Sequence, residues 1–344
     1  MGVGVGVDDV GTKPVRPDLR RALGWVGTVL GPFLGLLLIT GLFTALTYRE
    51  GTFLAVYNWR AIAVQTVIVG TAALGMTMIM IAGGIDLSVG SVVALVTVAI
   101  GVAVRDLGLP LPVAMLGGVV VGGLCGLGNG GLITGLGVVP FIITLGGLKI
   151  FRGLAKYFAS ETSVYIPGSA RPAWVGQLLA VEPRPEWLLV APGVWVLLAL
   201  SGLVALVLRY SLLGRYLYAI GSNEATARLC GVNVPGIKLA VYGLAGLATG
   251  LAGVMQFVYL GATGDPTTAD GLELEVIAAV VIGGGSLSGG EGTVLGTLIG
   301  ALIMTVLRNG CVHAGISPAS QDIIIGAIII AAVALDRVRH AGST

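Results

Sequence analysis

The sequence predicts an all-α integral membrane protein with about ten transmembrane helices. Of its 344 residues, 56% are hydrophobic and 10% are charged, and the mean hydropathy is +0.98. Soluble domains carry about 25% charged residues, so this composition excludes an ordinary water-soluble protein. Apolar stretches long enough to cross the hydrocarbon core recur along the chain. A glycine-rich motif begins at Gly83 and again at Gly283, and it interrupts the apolar pattern in both places.

The predicted spans follow the apolar segments in chain order. Those segments are 22–46, 61–82, 89–104, 111–134, 138–158, 189–208, 237–260, 272–284, 293–311 and 321–335. An even number of spans puts both chain ends on one side of the membrane, and basic flanks put that side in the cytoplasm. The flanking charges are Lys13, Arg16, Arg20, Arg21, Arg337 and Arg339. We therefore predict a cytoplasmic tail at 1–21, a single membrane domain at 22–336 and a second cytoplasmic tail at 337–344.

Two connections between the spans are long enough to interpret. Residues 159–188 contain four prolines and lie outside the cytoplasm by parity. Trp174 and Trp187 within this segment would suit the membrane interface. The same parity of spans places residues 209–238 in the cytoplasm, and their basic residues agree with a cytoplasmic location.

The cytoplasmic connection contains a short helix with clear ends. Ser222 or Asn223 can cap its start and Gly231 can end it. Glu224 and Arg228 stand four residues apart and can pair on one face. An ordinary amphipathic connector and a docking helix for a cytoplasmic partner are equally open interpretations.

The repeated motif breaks two apolar runs with glycine and small polar residues. The first copy reads Gly-Gly-Ile-Asp-Leu-Ser-Val-Gly-Ser over 83–91, and the second reads Gly-Gly-Gly-Ser-Leu-Ser-Gly-Gly over 283–290. A membrane backbone leaves regular helix only where protein or a water-filled cavity satisfies its polar groups. Paired glycine-interrupted segments in two halves of a chain therefore indicate a transport pathway, with parallel and inverted arrangements both open. The candidate pathway or structural residues are Gly83, Gly84, Asp86, Ser88, Gly90, Gly283, Gly284, Ser286, Ser288 and Gly290.

Asp86 is the sharpest single candidate, because a carboxylate at membrane depth costs about 2.5–3.5 kcal/mol on insertion scales. One interpretation is an ion-binding carboxylate, which would make the chain an ion-coupled secondary transporter. The other is a cap for the next helix, which the second motif copy favours by placing Ser286 at this position. An intramembrane protease is the weakest class, because neither Ser286 nor Ser288 lies in a Gly-x-Ser-x-Gly motif.

Other polar residues in the spans have less specific interpretations. Lys149, Arg152 and Lys156 share one helical face and form either an interfacial stripe with snorkelling heads or the lining of an outer vestibule. Gln65 and Asn129 are predicted to form interhelical hydrogen bonds, with substrate contact as the alternative. Two glutamates at 273 and 275 begin a helix, where negative charge is favourable.

Several functional classes are not indicated. The three cysteines are far apart and form neither a disulfide framework nor a zinc motif, and no metal or cofactor is predicted. The chain lacks a basic stripe with interleaved aromatic residues, so nucleic acid is not a predicted partner. It contains no Gly-x-x-x-x-Gly-Lys-[Ser/Thr] motif, so energy for transport must come from another chain or from an ion gradient.

Five blocks in one order resemble the permease subunits of bacterial ATP-binding-cassette (ABC) sugar importers, the branch typified by the ribose importer. They are the motif at 83–91 and the blocks Val139–Gly146, Ala219–Ala225, Leu272–Gly284 and Gly292–Thr297. The resemblance covers almost the whole chain, from about 22 to 336. Asp265 and Asp270 depart from the usual pattern and leave the identity of the sugar open.

The resemblance implies a type II-like importer permease in the bacterial plasma membrane, working by alternating access. It implies a dimer, formed with a second copy or with a sister permease, together with a cytoplasmic ATPase and an extracytoplasmic sugar-binding protein. In that family, the segment matching Asn223–Gly231 is similar to the coupling helix that contacts the ATPase. The implied contact residues are Asn223, Glu224, Arg228 and Gly231.

Overall fold

The computed structural model describes residues 19–49 and 51–341, with side chains at 31–49 and 51–334. Lys13 and Arg16 of the predicted N-terminal tail lie outside the described residues, and the side chains of the other flanking arginines lie outside them too. Within the described ranges the chain forms thirteen α-helices and one antiparallel pair of two-residue strands, β1 (Val164–Tyr165) and β2 (Thr263–Gly264). The helices are α1 (Leu19–Leu46), α2 (Val56–Ile81), α3 (Val89–Arg105), α4 (Leu111–Leu136), α5 (Pro140–Phe158), α6 (Ala173–Leu178), α7 (Pro192–Tyr210), α8 (Leu212–Ser222), α9 (Glu224–Leu229), α10 (Val234–Tyr259), α11 (Leu272–Ile282), α12 (Val294–His313) and α13 (Pro318–Ala341).

A helix occupies every predicted span, so the all-α class is confirmed. The short helices α6, α8 and α9 lie in the two long connections, and 3₁₀ turns at Gly168–Ala170 and Glu186–Leu188 flank α6. The last helix is longer than its apolar segment and continues to Ala341, so part of the predicted tail at 337–344 is helical.

Within the part of the chain whose side chains the structure describes, five helical segments are long and apolar enough to cross a membrane by length and composition. They are α2, α4, the stretch Glu186–Tyr210 that contains α7, α10 and α12. Further apolar helical segments are α3 and, within the residues whose side chains are described, 31–46 of α1 and 318–334 of α13. Large apolar side chains such as Leu38 on α1 (74% exposed) and Leu116 on α4 (69% exposed) face outward, as expected for surfaces in contact with lipid.

Helix α2 is the centre of the packing. Every residue from 66 to 81 is buried, and the helix contacts α7, α10, α11 and α12. Helices α4 and α10 also pack closely, because glycines on one face of α4 meet the backbone of α10. A Cβ atom on Gly126 would overlap the Tyr242 carbonyl oxygen, and one on Gly122 would lie 2.5 Å from the Gly246 carbonyl oxygen. Small residues spaced four apart permit this approach between membrane helices.

The two glycine motifs form the breaks between α2 and α3 and between α11 and α12. Helix α12 is antiparallel to α2, since Thr305 bonds Thr66 while Thr297 bonds Thr77 through their hydroxyl groups, 2.7 Å apart in each pair. Helix α12 is also antiparallel to α11, because Gly300 lies against Ala279 and Gly296 against Gly283. The chain therefore enters both breaks in the same direction, and the two motif copies are parallel.

The two ends of the helix bundle differ in what connects the helices. At one end, called the α9 end, the segment 211–233 carries α8 and α9. At the other, called the strand end, the connections 159–191 and 260–271 are joined by the pairing of Val164 with Gly264 and Tyr165 with Thr263.

Candidate functional site

The two glycine breaks meet each other and the end of α8, forming what we call the glycine junction (82–88, 283–293, Gly221 and Ser222). The Gly290 amide donates a 2.9 Å hydrogen bond to the Ile81 carbonyl oxygen. A Cβ atom on Gly221 would overlap that same oxygen and the Gly290 nitrogen, and one on Gly289 would lie 2.9 Å from the Gly83 Cα. Gly289 also has a φ of +90°, which favours glycine. Both motif copies and the connection at the α9 end are therefore in direct backbone contact.

Asp86 forms a tight turn before α3 and is 6% exposed. Its Oδ1 atom accepts hydrogen bonds from the Ser88 amide (2.8 Å) and the Ser88 hydroxyl (2.6 Å), and Asn129 Nδ2 donates to the same hydroxyl oxygen (2.9 Å). In the second copy, the Ser288 amide donates a 3.2 Å bond to Ser286 Oγ. An aspartate and a serine thus make the same turn at equivalent positions of the two copies.

Side chains from distant helices satisfy the carbonyl groups of the junction. The Ile85 oxygen accepts from the Thr144 hydroxyl (3.2 Å) and the Tyr242 hydroxyl (3.4 Å), and the Tyr218 hydroxyl donates to Gly292 O (2.8 Å). This is the protein environment that non-helical backbone requires at membrane depth.

Helix α9 packs against the end of α8 and the start of α10 through a small apolar cluster of Ile220, Ala227 and Val234. Asn223 is its N-cap, with Oδ1 accepting from the Thr226 amide at 2.8 Å. Gly231 follows the helix with a φ of +83°. Leu229 points away from the bundle and is 88% exposed, so this helix presents an unburied face.

Glu224 links α9 to α10. It accepts hydrogen bonds from Lys238 Nζ (2.7 Å) and Arg228 Nη2 (3.1 Å). The hydrogen bond from Lys238 is the largest cause that holds the pKa of Glu224 below its ordinary value. The predicted pair of Glu224 and Arg228 is present, and Lys238 is an additional partner that the sequence reasoning missed.

The three cationic side chains of α5 differ in burial and in their hydrogen-bond partners. Arg152 is half-buried and donates to the carbonyl oxygens of Pro266 (3.0 Å) and Thr268 (2.6 Å), while Lys149 and Lys156 are exposed. Arg152 Nη2 also lies 3.8 Å from Asp270 Oδ1. Arg152 therefore fixes the 265–270 segment at the strand end.

A polar cavity of about 390 Å³ opens at the strand end between α2, α10, α11, α12 and the 268–270 segment. We call it the strand-end cavity. Its polar lining residues are Gln65, Gln256, Thr268, Asp270, Glu275, Thr305, Arg308 and Asn309. The Glu275 carboxylate is buried and forms an ion pair with Arg308. Of this set, the sequence reasoning singled out Gln65, Asp270 and the helix-start Glu275; polar residues inside the spans of α10 and α12 were a signal that it did not use.

Asn309 is the least satisfied residue of the cavity. It is 7% exposed, and its Oδ1 atom has no hydrogen-bond partner among the residues that the structure describes. Cys125, Cys230 and Cys311 are free thiols distributed among separate regions. Among the described residues, no group of three or more His, Cys, Asp or Glu side chains could hold a metal ion.

Comparison with known proteins matches residues 58–333 to a family described as "Branched-chain amino acid transport system / permease component". The ribose import permease protein RbsC of Escherichia coli (strain K12) is 37% identical over 289 residues, which cover 83% of this chain and 87% of that protein. The ribose import permease of Bacillus subtilis (strain 168) is 36% identical over 316 residues (91% of this chain and 94% of that protein). The fructose import permease FrcC of Rhizobium meliloti is 34% identical, covering 83% of this chain and 79% of that protein. No solved structure gives a significant match.

Proposed function

The chain belongs to the branched-chain amino acid transport system / permease component family, and on that premise we propose that it is the membrane subunit of an ATP-driven importer of ribose-like monosaccharides. The observation that carries the proposal is similarity over most of the chain to permeases named for ribose, fructose and allose. The chain is a transport subunit rather than an enzyme. Its apolar helices and its similarity to bacterial permeases support a multi-pass protein of the bacterial inner membrane.

An ATPase subunit docks on α9. The chain has no phosphate-binding loop of its own, so ATP hydrolysis takes place on another subunit. The exposed Leu229 and Arg228 side chains offer an apolar and a cationic contact on one short helix. Asn223, Glu224 and Gly231 fix the shape of the segment and, with Arg228, are the proposed contact residues.

Movement of α9 passes directly to the glycine junction. Gly221 at the end of α8 touches Ile81 of the first break and Gly290 of the second, and Ser222 precedes the cap of α9. A shift of the docked helix therefore moves both breaks together, and with them the ends of α2 and α12. Alternating access requires an element that adopts two arrangements and is coupled to the ATPase. In this proposal the glycine junction is that element.

The sugar-binding protein docks at the opposite, strand end, on the connections 159–188 and 261–271. Both chain termini, the α9 end and the ATPase then lie in the cytoplasm. Arg152 holds the 265–270 segment in place for this docking. The functional unit is a dimer, with a second copy or a sister permease across the translocation pathway and lipid around it.

Asp86 acts as a turn-forming residue beside the pathway. Its Oδ1 atom is used by Ser88, and Ser286 makes the same turn without a charge. A transporter driven by ATP needs no ion-carrying carboxylate, and no observation favours the ion-coupled alternative.

The test is co-purification of the tagged chain, solubilised with ATP and vanadate from its native host. We expect a stoichiometric ATPase subunit, which Leu229→Asp releases because a charge replaces the exposed contact. The matched control is Tyr48→Asp, which changes a side chain 82% exposed at the strand end and should retain the ATPase. A folded preparation without any ATPase, whose uptake is stopped by a protonophore, would contradict the proposal.

A further inference from the structure

We propose that the strand-end cavity is a low-affinity site for a neutral monosaccharide in transit, with Asn309 and Gln65 as hydrogen-bonding groups to its hydroxyls. The inference rests on the proposed function and adds to it the place where the sugar binds in this chain. Asn309 on α12 and Gln65 on α2 both line the cavity.

The first observation is the unpaired oxygen of Asn309. A buried amide oxygen without a partner costs about 1–3 kcal/mol of desolvation, and such groups in native proteins require an explanation. Among the described residues Asn309 Oδ1 has no hydrogen-bond partner, and the Asn309 side chain belongs to the lining of the cavity. A ligand hydroxyl that donates to this oxygen would remove the cost when it binds.

The second observation is the mixture of donors and acceptors around that oxygen. Each sugar hydroxyl both donates and accepts, so a sugar site needs both kinds of group. Gln65 and Gln256 supply amide groups of both kinds, and Arg308 supplies N–H donors. The volume of about 390 Å³ is within the usual range of about 300–1,000 Å³ for small-molecule sites.

The third observation is the charge balance, which selects a neutral ligand. The charged lining residues are Asp270, Glu275 and Arg308. Arg308 pairs with Glu275, and Arg152 lies beside Asp270. Because Arg308, the cation of the lining, is paired with Glu275, the cavity offers no free cation to a sugar acid or sugar phosphate.

The first test is uptake of D-ribose, D-fructose and D-allose by cells that contain the complete importer. Asn309→Leu and Gln65→Leu keep side-chain size but lose hydrogen bonding, and we expect each to lower the maximal rate about tenfold, the factor for one lost hydrogen bond. Thr71→Val is the matched control. Thr71 Oγ1 is also buried and unpaired, but it does not line the cavity, so its removal should leave uptake unchanged. Equal amounts of each variant in the membrane exclude a folding defect.

The second test needs no transport and uses Val312→Cys in a Cys230→Ser background, since Val312 lines the cavity and is exposed whereas Cys125 and Cys311 are buried. We measure the rate at which a small membrane-impermeant thiol reagent labels position 312 without the binding protein. The three monosaccharides at high millimolar concentration should slow labelling, whereas sucrose at equal osmolarity should not. Labelling that no monosaccharide slows would overturn the site. Protection by a sugar that the complete importer does not take up would uphold the site and overturn the proposed function.

Discussion

The glycine junction and the strand-end cavity are both polar regions within an apolar helix bundle, but they satisfy their polar groups differently. In the junction, Asp86, Ser88 and Asn129 form a closed set of hydrogen bonds, and Gly221 leaves no room for a methyl group. In the cavity, Asn309 Oδ1 has no partner. A closely packed, hydrogen-bonded region is suited to transmitting movement, whereas an open region with an unpaired polar group is suited to receiving a ligand.

The largest loss of uptake and stability should follow from adding a methyl group inside the glycine junction. In Gly221→Ala the added methyl group overlaps the backbone of Ile81 and Gly290, which cannot give way without separating the two breaks. We expect uptake to fall at least tenfold and stability to fall by about 1–3 kcal/mol, as for overpacked cores. Uptake and thermal unfolding of the purified protein measure the two effects.

Gly128→Ala is the control for this substitution. Gly128 is also helical, and a Cβ atom there would meet nothing within 4 Å. Its uptake and unfolding temperature should match those of the wild type. Normal uptake by Gly221→Ala would show that the breaks move independently of α8.

The comparison is sharpened by two asparagines that are buried to similar degrees. Asn129 is 2% exposed and donates to Ser88 Oγ, whereas Asn309 is 7% exposed and its oxygen has no partner. Asn129→Leu should destabilise the protein by about 1–3 kcal/mol, because it leaves buried junction groups unpaired. Asn309→Leu should be neutral or stabilising in the same unfolding measurement, although it lowers uptake. Equal losses of stability would remove the distinction between the two regions.

The sequence allowed the junction to be predicted far better than the cavity. The junction comes from contiguous motifs, in which glycine at Gly83 and Gly283 interrupts apolar runs that predict spans. Hydropathy also predicted each main helix, because burial in lipid constrains length and composition. Parallel entry into the two breaks became visible only through the contacts of α12 with α2 and α11.

The cavity has no such local signal. Gln65, Gln256 and Asn309 come from three distant helices, and each alone is an unremarkable polar residue in a span. The role of Arg152 was equally hidden, because its partners are carbonyl oxygens of Pro266 and Thr268, which any residue type could offer. Only the folded arrangement separates Arg152 from Lys149 and Lys156.

Charge at position 86 distinguishes the two motif copies and allows a smaller test within the junction. Asp86→Asn keeps an oxygen that can accept from the Ser88 amide, so it should retain most uptake. Asp86→Ala removes the turn and should cost about 0.5–2 kcal/mol of stability, as for lost helix caps. Ser286→Ala should cost less, since its bond to the Ser288 amide is longer and uncharged. Uptake abolished in Asp86→Asn, together with sensitivity to a protonophore, would favour ion coupling.

The smallest change in stability should come from removing a charge at the α9 end. The paired Glu224 and Arg228 side chains there are partly exposed, whereas Asp86 of the junction is buried. The pKa of Glu224 is lowered, mainly by the hydrogen bond from Lys238, so this contact stabilises the folded protein at pH values above the ordinary glutamate pKa of 4.5. The contribution is lost as the pH falls through the lower pKa of the folded state. Because the Glu224 side chain is 41% exposed, we expect at most about 1 kcal/mol. Unfolding measured from about pH 7 down to about pH 3 should therefore show less acid sensitivity in Glu224→Gln than in the wild type. Glu161→Gln, at the strand end, serves as the control, and an unchanged profile in Glu224→Gln would mean that solvent screens the pair completely.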